Sequence, residues 1–167
     1  MNVAETDRLR VRWLEPSDVD FVFALVNDPS WIRYIGDKHV RTRGDALRYL
    51  ESGPMAMYAR VGFGLYLVEL KHTGEPMGIC GLIKREAVED VDLGFAFLPA
   101  FRGRGHAFES ASAVMAYGRN VLGLSRIVAI LSQDNHRSSV LLERLGFRPA
   151  GTTRLQPDHE ELRLYEA

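Results

Sequence analysis

Apolar positions recur along the chain with two different periods, and the switches between them mark its elements. Leu9-Arg10-Val11-Arg12-Trp13 alternates apolar with charged residues, the period of a half-buried strand. Beyond Pro16, Ser17 stands where it can cap a helix whose apolar face is Phe21, Val22, Leu25 and Val26. Asn27-Asp28-Pro29 breaks that helix, and Ser30 to Ile35 forms another helical turn with Trp31 and Tyr34 on one side. Gly36 to Arg41 reads as loop. Thr42 then caps a third helix carrying Ala46, Leu47 and Leu50, which Gly53-Pro54 stops.

The period then shortens. Phe63–Leu70 and Met77–Lys84 are strands joined through His72-Thr73-Gly74-Glu75, a hairpin, and Arg85 to Asp90 is a charged turn. Val91–Leu98 is a long apolar strand closed by Pro99. Arg102-Gly103-Arg104-Gly105-His106-Ala107 follows almost at once. From Ala107 the apolar residues fall at 107, 108, 111, 114, 115, 118, 121 and 122, which is helical spacing ended by Gly123. Arg126–Leu131 is a β-branched strand, and Asn135 caps a helix through Arg144. Phe147 onward and Leu162–Tyr165 are the last strands, joined across Pro157-Asp158. The strand–helix–strand unit around the glycine loop requires two parallel strands, while the hairpin is antiparallel. The expected fold is α/β with α+β character: a mixed, mostly antiparallel sheet of about six to seven strands with helices on both faces.

Chemistry concentrates at the glycine loop. A strand that delivers glycines onto a helix N-terminus is an anion site, because the first-turn N–H groups lack intrahelical partners and the dipole is positive there. Two glycines admit a phosphate close to the backbone, and Arg102 and Arg104 add charge. The loop is neither a dinucleotide fingerprint nor a P-loop, since Gly-x-Gly-x-x-Gly and Gly-Lys-Ser/Thr are absent. By its own residues it is either a pyrophosphate cradle or a plain strand–helix turn.

Composition narrows the classes. The chain has 167 residues, 46% of them hydrophobic and 26% charged, which fits one globular domain spanning 1–167. A formal net charge of -1 gives no basic field for nucleic acid, so none is expected as a partner. No apolar run reaches membrane-spanning length, so no membrane partner is expected. The single cysteine, Cys80, lies in an apolar run and reads as a buried hydrophobe in a reducing compartment. With no signal pattern at Met1–Glu5, a cytoplasmic location is expected. His159, beside Asp158 and Glu160, has no matching ligand cluster, so no metal is expected.

Arg102-x-x-Gly105-x-Ala107 resembles the Arg/Gln-x-x-Gly-x-Gly/Ala signature of the GNAT N-acetyltransferase superfamily, whose ligand is acyl-CoA. A second resemblance lies downstream, in Asn135-His136-Arg137-Ser138 followed by a helix that ends in Gly146-Phe147. Thr6-Asp7-Arg8-Leu9-Arg10, Asn27-Asp28-Pro29 and Gly74-Glu75-Pro76-Met77-Gly78 are similar to the branch that acetylates ribosomal-protein N-termini. The likeness runs from about Arg8 to Phe147.

That resemblance implies an acetyl-CoA-dependent transferase acting on a primary amine by direct attack in a ternary complex. A protein N-terminal α-amine leads as acceptor. A small-molecule amine (an amino acid, polyamine or antibiotic) and a non-catalytic acyl-CoA-binding module are the alternatives. It further implies that the strands Val91–Leu98 and Arg126–Leu131 splay apart around the pantetheine arm. Main-chain groups near Phe95, Phe97 and Leu98 would bond the arm, and N–H groups from Arg102 through Gly103, Arg104, Gly105 and His106 to Ala107 would hold the pyrophosphate. Asn135 and Ser138 would contact the arm near sulfur. Many relatives place a Tyr acid where this chain has Leu142, so Ser138 is the implied thiolate partner instead. Relatives are often dimers, which leaves a homodimer open.

Asp92, on the central strand, is the candidate base, or else a charge facing solvent or an arginine. An α-amine of pKa near 8 is about one-tenth neutral at pH 7, against about one in a few thousand for lysine, so an α-amine needs no strong base. Trp31 and Tyr34 are candidates for the acceptor wall, or for core.

Overall fold

Asp18, not Ser17, starts the first helix. The computed structural model, which describes residues 1–167, places a short 3-10 turn at Pro16–Asp18 ahead of α1 (Val19–Val26). The Asp18 carboxylate accepts the Glu15 N–H at 2.9 Å and is gripped at both oxygens by Arg12, at 2.9 and 3.0 Å. The Ser17 hydroxyl donates to Glu15 instead. Pro16 shifts the cap, because a proline is preorganised for the first helical position and needs no N–H partner there. Helices α2 (Pro29–Tyr34) and α3 (Arg43–Leu50) follow, capped by Asp28 and Thr42 as their sequences dictate.

Gly53-Pro54 does not stop the chain. The backbone widens into a π-helical stretch, Glu51–Met55, and runs on as α4 (Ala56–Val61). A wider turn accommodates the proline whose ring and missing N–H would break an α-helix. Gly62, at φ 84°, ends α4 in the left-handed conformation that glycine alone adopts cheaply.

Eight strands form one sheet. They are β1 (Asn2–Glu5), β2 (Leu9–Trp13), β3 (Leu65–Leu70), β4 (Pro76–Ile83), β5 (Val91–Phe97), β6 (Ile127–Leu131), β7 (Arg148–Thr153) and β8 (Leu162–Glu166), in the order β1-β2-β3-β4-β5-β6-β8-β7. All neighbours are antiparallel except β5 and β6. The strand beyond the expected number is β1, a short edge strand without apolar alternation, held by pairing with β2 and by Val3 and Ala4 packing on the core beside α5. Glu69, in β3, is a buried carboxylate held by Arg10 and Arg12 at 3.3 Å each.

Helix α5 (His106–Asn120) and helix α6 (His136–Arg144) cover one face of the sheet, over a core of 20 buried residues that includes Leu93, Phe97, Val114, Ile127 and Leu142. Helices α1 to α3 cover the other, over 11 buried residues that include Val22, Leu25, Trp31, Leu50 and Ile79. Cys80 lies fully buried in the first core, and burial pushes its thiol up to about 12. No helix is long and apolar enough to cross a membrane.

Close backbone approach fixes β4 beside β3. A Cβ on Gly81 would sit 2.2 Å from the Gly64 carbonyl oxygen and 2.6 Å from the Leu65 Cα, with no flexible atom to yield. Gly81→Ala should therefore cost about 2–3 kcal/mol, the upper part of the overpacking range. Gly53→Ala meets nothing within 4 Å and should be neutral or slightly stabilising. Urea midpoints of the two variants at unchanged m-value check the contrast.

Candidate active site

The sheet opens at its parallel pair. Strands β5 and β6 are in register only at Val91↔Ile127 and Asp92↔Val128, after which they part. On the other edge of β5 the antiparallel ladder continues to its end, where the Leu98 N–H donates to the Met77 carbonyl at 2.9 Å. Hydrogen-bonded and non-bonded positions alternate in such a ladder. The N–H and C=O groups of Phe95 and Phe97 therefore point away from β4, into the gap left by β6. Those of Leu98 do not: its N–H is spent on Met77, and its carbonyl accepts from Phe101 at 3.0 Å. Both main-chain groups of Phe95 and the N–H of Phe97 thus present a free strand edge, the Phe97 carbonyl is taken by the Arg102 guanidinium, and Leu98 leaves the set.

At the top of β5 the chain turns through Pro99–Phe101 into the glycine loop. Gly103 and Gly105 adopt φ 75° and 79°, the left-handed region where a Cβ is costly. From Gly103 through Phe108 the backbone N–H groups make no hydrogen bond within the protein; the first to do so is Glu109, which donates to the Gly105 carbonyl. They lie at the positive end of α5, an arrangement that favours an anion.

The two loop arginines have different jobs. Arg102 turns inward: its guanidinium donates to the Phe97 carbonyl at 2.7 and 3.0 Å, to Asp28 at 2.9 Å and to the Ser30 hydroxyl at 3.1 Å. Its own N–H goes to Pro99. Arg102 is thus a brace, tying β5 to α2, with no charge left over for a phosphate. The Arg104 guanidinium is exposed and unbonded, while its carbonyl accepts from Arg8 at 3.0 Å. His106 contributes only its N–H, since its ring is buried with Nδ1 3.1 Å from the Phe101 carbonyl.

Across the gap, Asn135 accepts the Ser138 N–H at 3.3 Å and caps α6. The Ser138 hydroxyl has no partner within the protein and faces the cleft, half-buried. Neighbouring Ser139 is buried and bonded to the Tyr165 hydroxyl at 2.8 Å. Leu142 is fully buried in the core, so no acid stands at that position.

Together these elements line a continuous cleft of about 890 Å³ that passes between the splayed strands from one sheet face to the other. Glycine loop, Phe108, Ser138 and Arg144 lie on the α5–α6 side. On the α1–α3 side lie Tyr34, Lys38, Tyr49, Met57, Arg85 and Asp92. Asp92 is 2% exposed and meets Arg85 at 3.0 Å. Burial raises its proton affinity above the ordinary carboxylate range, against the pull of Arg85. Trp31 borders the cleft only from within the second core, at 3% exposure, whereas Tyr34 is half-exposed. Lys38, Tyr49, Met57 and Arg85 carried no sequence signal, because loop and helix residues far apart in the chain form this wall. No group of three or more His, Cys, Asp and Glu side chains converges as a metal ion requires.

Known proteins fit this geometry. A family model described as an acetyltransferase (GNAT) domain matches residues 8–148. The uncharacterized N-acetyltransferase YoaA of Bacillus subtilis (strain 168) is 29% identical over 153 residues, covering 91% of this chain and 86% of that protein. The spermidine N(1)-acetyltransferase of Escherichia coli (strain K12) is 23% identical over 158 residues, covering 86% and 74%. Among solved structures, a RimL ribosomal L7/L12 alpha-N-protein acetyltransferase in complex with coenzyme A superposes with a TM-score of 0.84 at 19% identity, covering 100% of this chain and 97% of that one. At that identity the last likeness is one of fold.

The two arginines give a direct test of brace against free charge. Arg102→Met strands the buried Asp28 carboxylate and should lower stability by about 3 kcal/mol, the cost of breaking a buried pair. Arg104→Met should stay within about 0.5 kcal/mol of the parent. Denaturant midpoints report both.

Proposed function

The chain belongs to the acetyltransferase (GNAT) family, and from that premise we propose that it transfers the acetyl group of acetyl-CoA to the α-amine of a protein N-terminus. One observation carries the cofactor half of this reading: the unpartnered N–H groups from Gly103 to Phe108 at the start of α5, beside the free edge of β5. The first would hold the diphosphate; the second would pair with the amide-bearing arm as an added strand.

Acetyl-CoA supplies the acetyl group as a thioester. The chain's task is to place an amine nitrogen against that carbonyl, remove the amine proton and ease departure of sulfur. An N–H at the open edge of β5, aimed into the gap, would polarise the carbonyl oxygen. The Ser138 hydroxyl, free of any protein partner, would donate a hydrogen bond to the leaving sulfur. Asp92 lies on the same strand as Phe95 but about 10 Å further back at strand rise, so it would take up the proton through intervening water. Its burial suits that task by holding its proton affinity high.

The α-amine reading is supported by the acceptor arithmetic, since an α-amine needs no strong side-chain base to lose its proton. A polyamine acceptor is favoured by one observation, the similarity to a spermidine acetyltransferase. Acetyl transfer to a panel of peptides and free amines, followed across pH, separates the two. With an α-amine, kcat/KM should rise about tenfold per pH unit and level off near pH 8; with a polyamine it should keep rising towards pH 10.

Ser138→Ala should lower kcat about tenfold or more while acetyl-CoA affinity, read by calorimetry, stays within about twofold. Unchanged turnover at normal affinity would remove the serine from the mechanism. Gly105→Val, which forces a β-branched residue into a left-handed position, should instead weaken acetyl-CoA binding more than about tenfold.

A further inference from the structure

The wall of the cleft on the α1–α3 side has an unbalanced charge. Its carboxylate, Asp92, is already committed to Arg85 at 3.0 Å, and Asp28 is committed to Arg102 at 2.9 Å. Lys38 shares that wall and has no carboxylate within salt-bridge distance. Glu160, on the loop before β8, is the one lining carboxylate without a partner. Arg137 and Arg144 belong to α6, on the opposite face, and Arg144 lies 4.5 Å over the Phe108 ring.

Lys38 is exposed, but the loop that carries it is held in place. Asp37, just before it, accepts the His39 N–H at 2.8 Å and the Arg41 guanidinium at 2.6 and 3.0 Å, closing the loop on itself. His39 takes φ 58°, the only non-glycine residue with positive φ, and buried Val40 anchors the far side. The loop is folded so that Lys38 lines the cleft. Partial desolvation there, and then the nearby Arg85 guanidinium, lower its proton affinity.

We propose that Lys38, with Arg85 beside it, selects acceptors that carry a carboxylate near the reacting amine, which in a protein N-terminus means acidic residues just after the first. This rests on the N-terminal reading for the form of the acceptor, but not for its charge. An anion completes a wall of two cations and one carboxylate. A polyamine adds further positive charge to the same wall and loses by like-charge repulsion. The selectivity acts through encounter and ground-state placement of the acceptor.

The test uses acetyl-CoA and three peptides that share an N-terminal serine and differ only at positions two to four, which are glutamate, glutamine or lysine. Spermidine, and free glutamate against its diamide, complete the set. The glutamate peptide should exceed the glutamine peptide in kcat/KM by about fivefold, the scale of a partly exposed ion pair, and the lysine peptide should rank last. In Lys38→Gln the glutamate-to-glutamine ratio should collapse to about one, and in Lys38→Glu it should invert, with acetyl-CoA affinity by calorimetry serving as the check on folding. Equal rates on all three peptides overturn the charge selection and leave N-terminal acetylation standing. Silence on every peptide with glutamate preferred over its diamide does the reverse. Spermidine as the best acceptor sinks both.

Discussion

Everything in this protein depends on two strands that start as partners and then separate. Beyond Asp92↔Val128, the main-chain groups of Phe95 and the N–H of Phe97 face a gap without a partner, although backbone N–H and C=O groups are almost always paired. The separation is held open by fixed contacts on either side. Strand β8 pairs with β6 along Val128 to Leu131, and β4 pairs with β5 along its length, so neither strand can drift across to close the gap. Helix α2 spans the opening, tied to the β5 side through Arg102 and to the β6 side by the Ser132 hydroxyl, which donates to the Tyr34 carbonyl at 3.0 Å.

That geometry explains why one cleft has two chemistries. On the α5–α6 side the groups available are backbone N–H donors and a helix terminus, which recognise phosphate and amide regardless of side chain. On the α1–α3 side they are side chains, Lys38, Tyr49, Met57, Arg85 and Asp92, the groups that would distinguish one acceptor from another under the proposed function. A main-chain site tolerates sequence drift and keeps the family's shared ligand. A side-chain site changes with each substitution. Relatives under 30% identical can therefore keep the same fold while their names diverge from ribosomal-protein to spermidine acetylation.

Much of this was legible in the chain. Helical spacing from Ala107, the β-branched run before Leu131 and the caps Thr42 and Asn135 are local signals, and each element formed within a residue or two of its expected bounds. What misled was local too, but overruled. Gly53-Pro54 reads as a stop, yet a π-turn carries the helix past it because Pro54 is buried against the second core. Arg102 reads as a phosphate ligand from its place beside two glycines. Its direction is set by Asp28 and Ser30, more than seventy residues earlier.

The sequence by itself determined the order of elements, the parallel pair and the glycine loop at a helix start, since each follows from spacing and backbone freedom over a few neighbouring residues. Only the tertiary structure decided which edge of β5 is free, which arginine is spent and which side chains line the α1–α3 side of the cleft. Those outcomes depend on hydrogen-bond register and on contacts between residues distant along the chain. No periodicity within a single segment carries them.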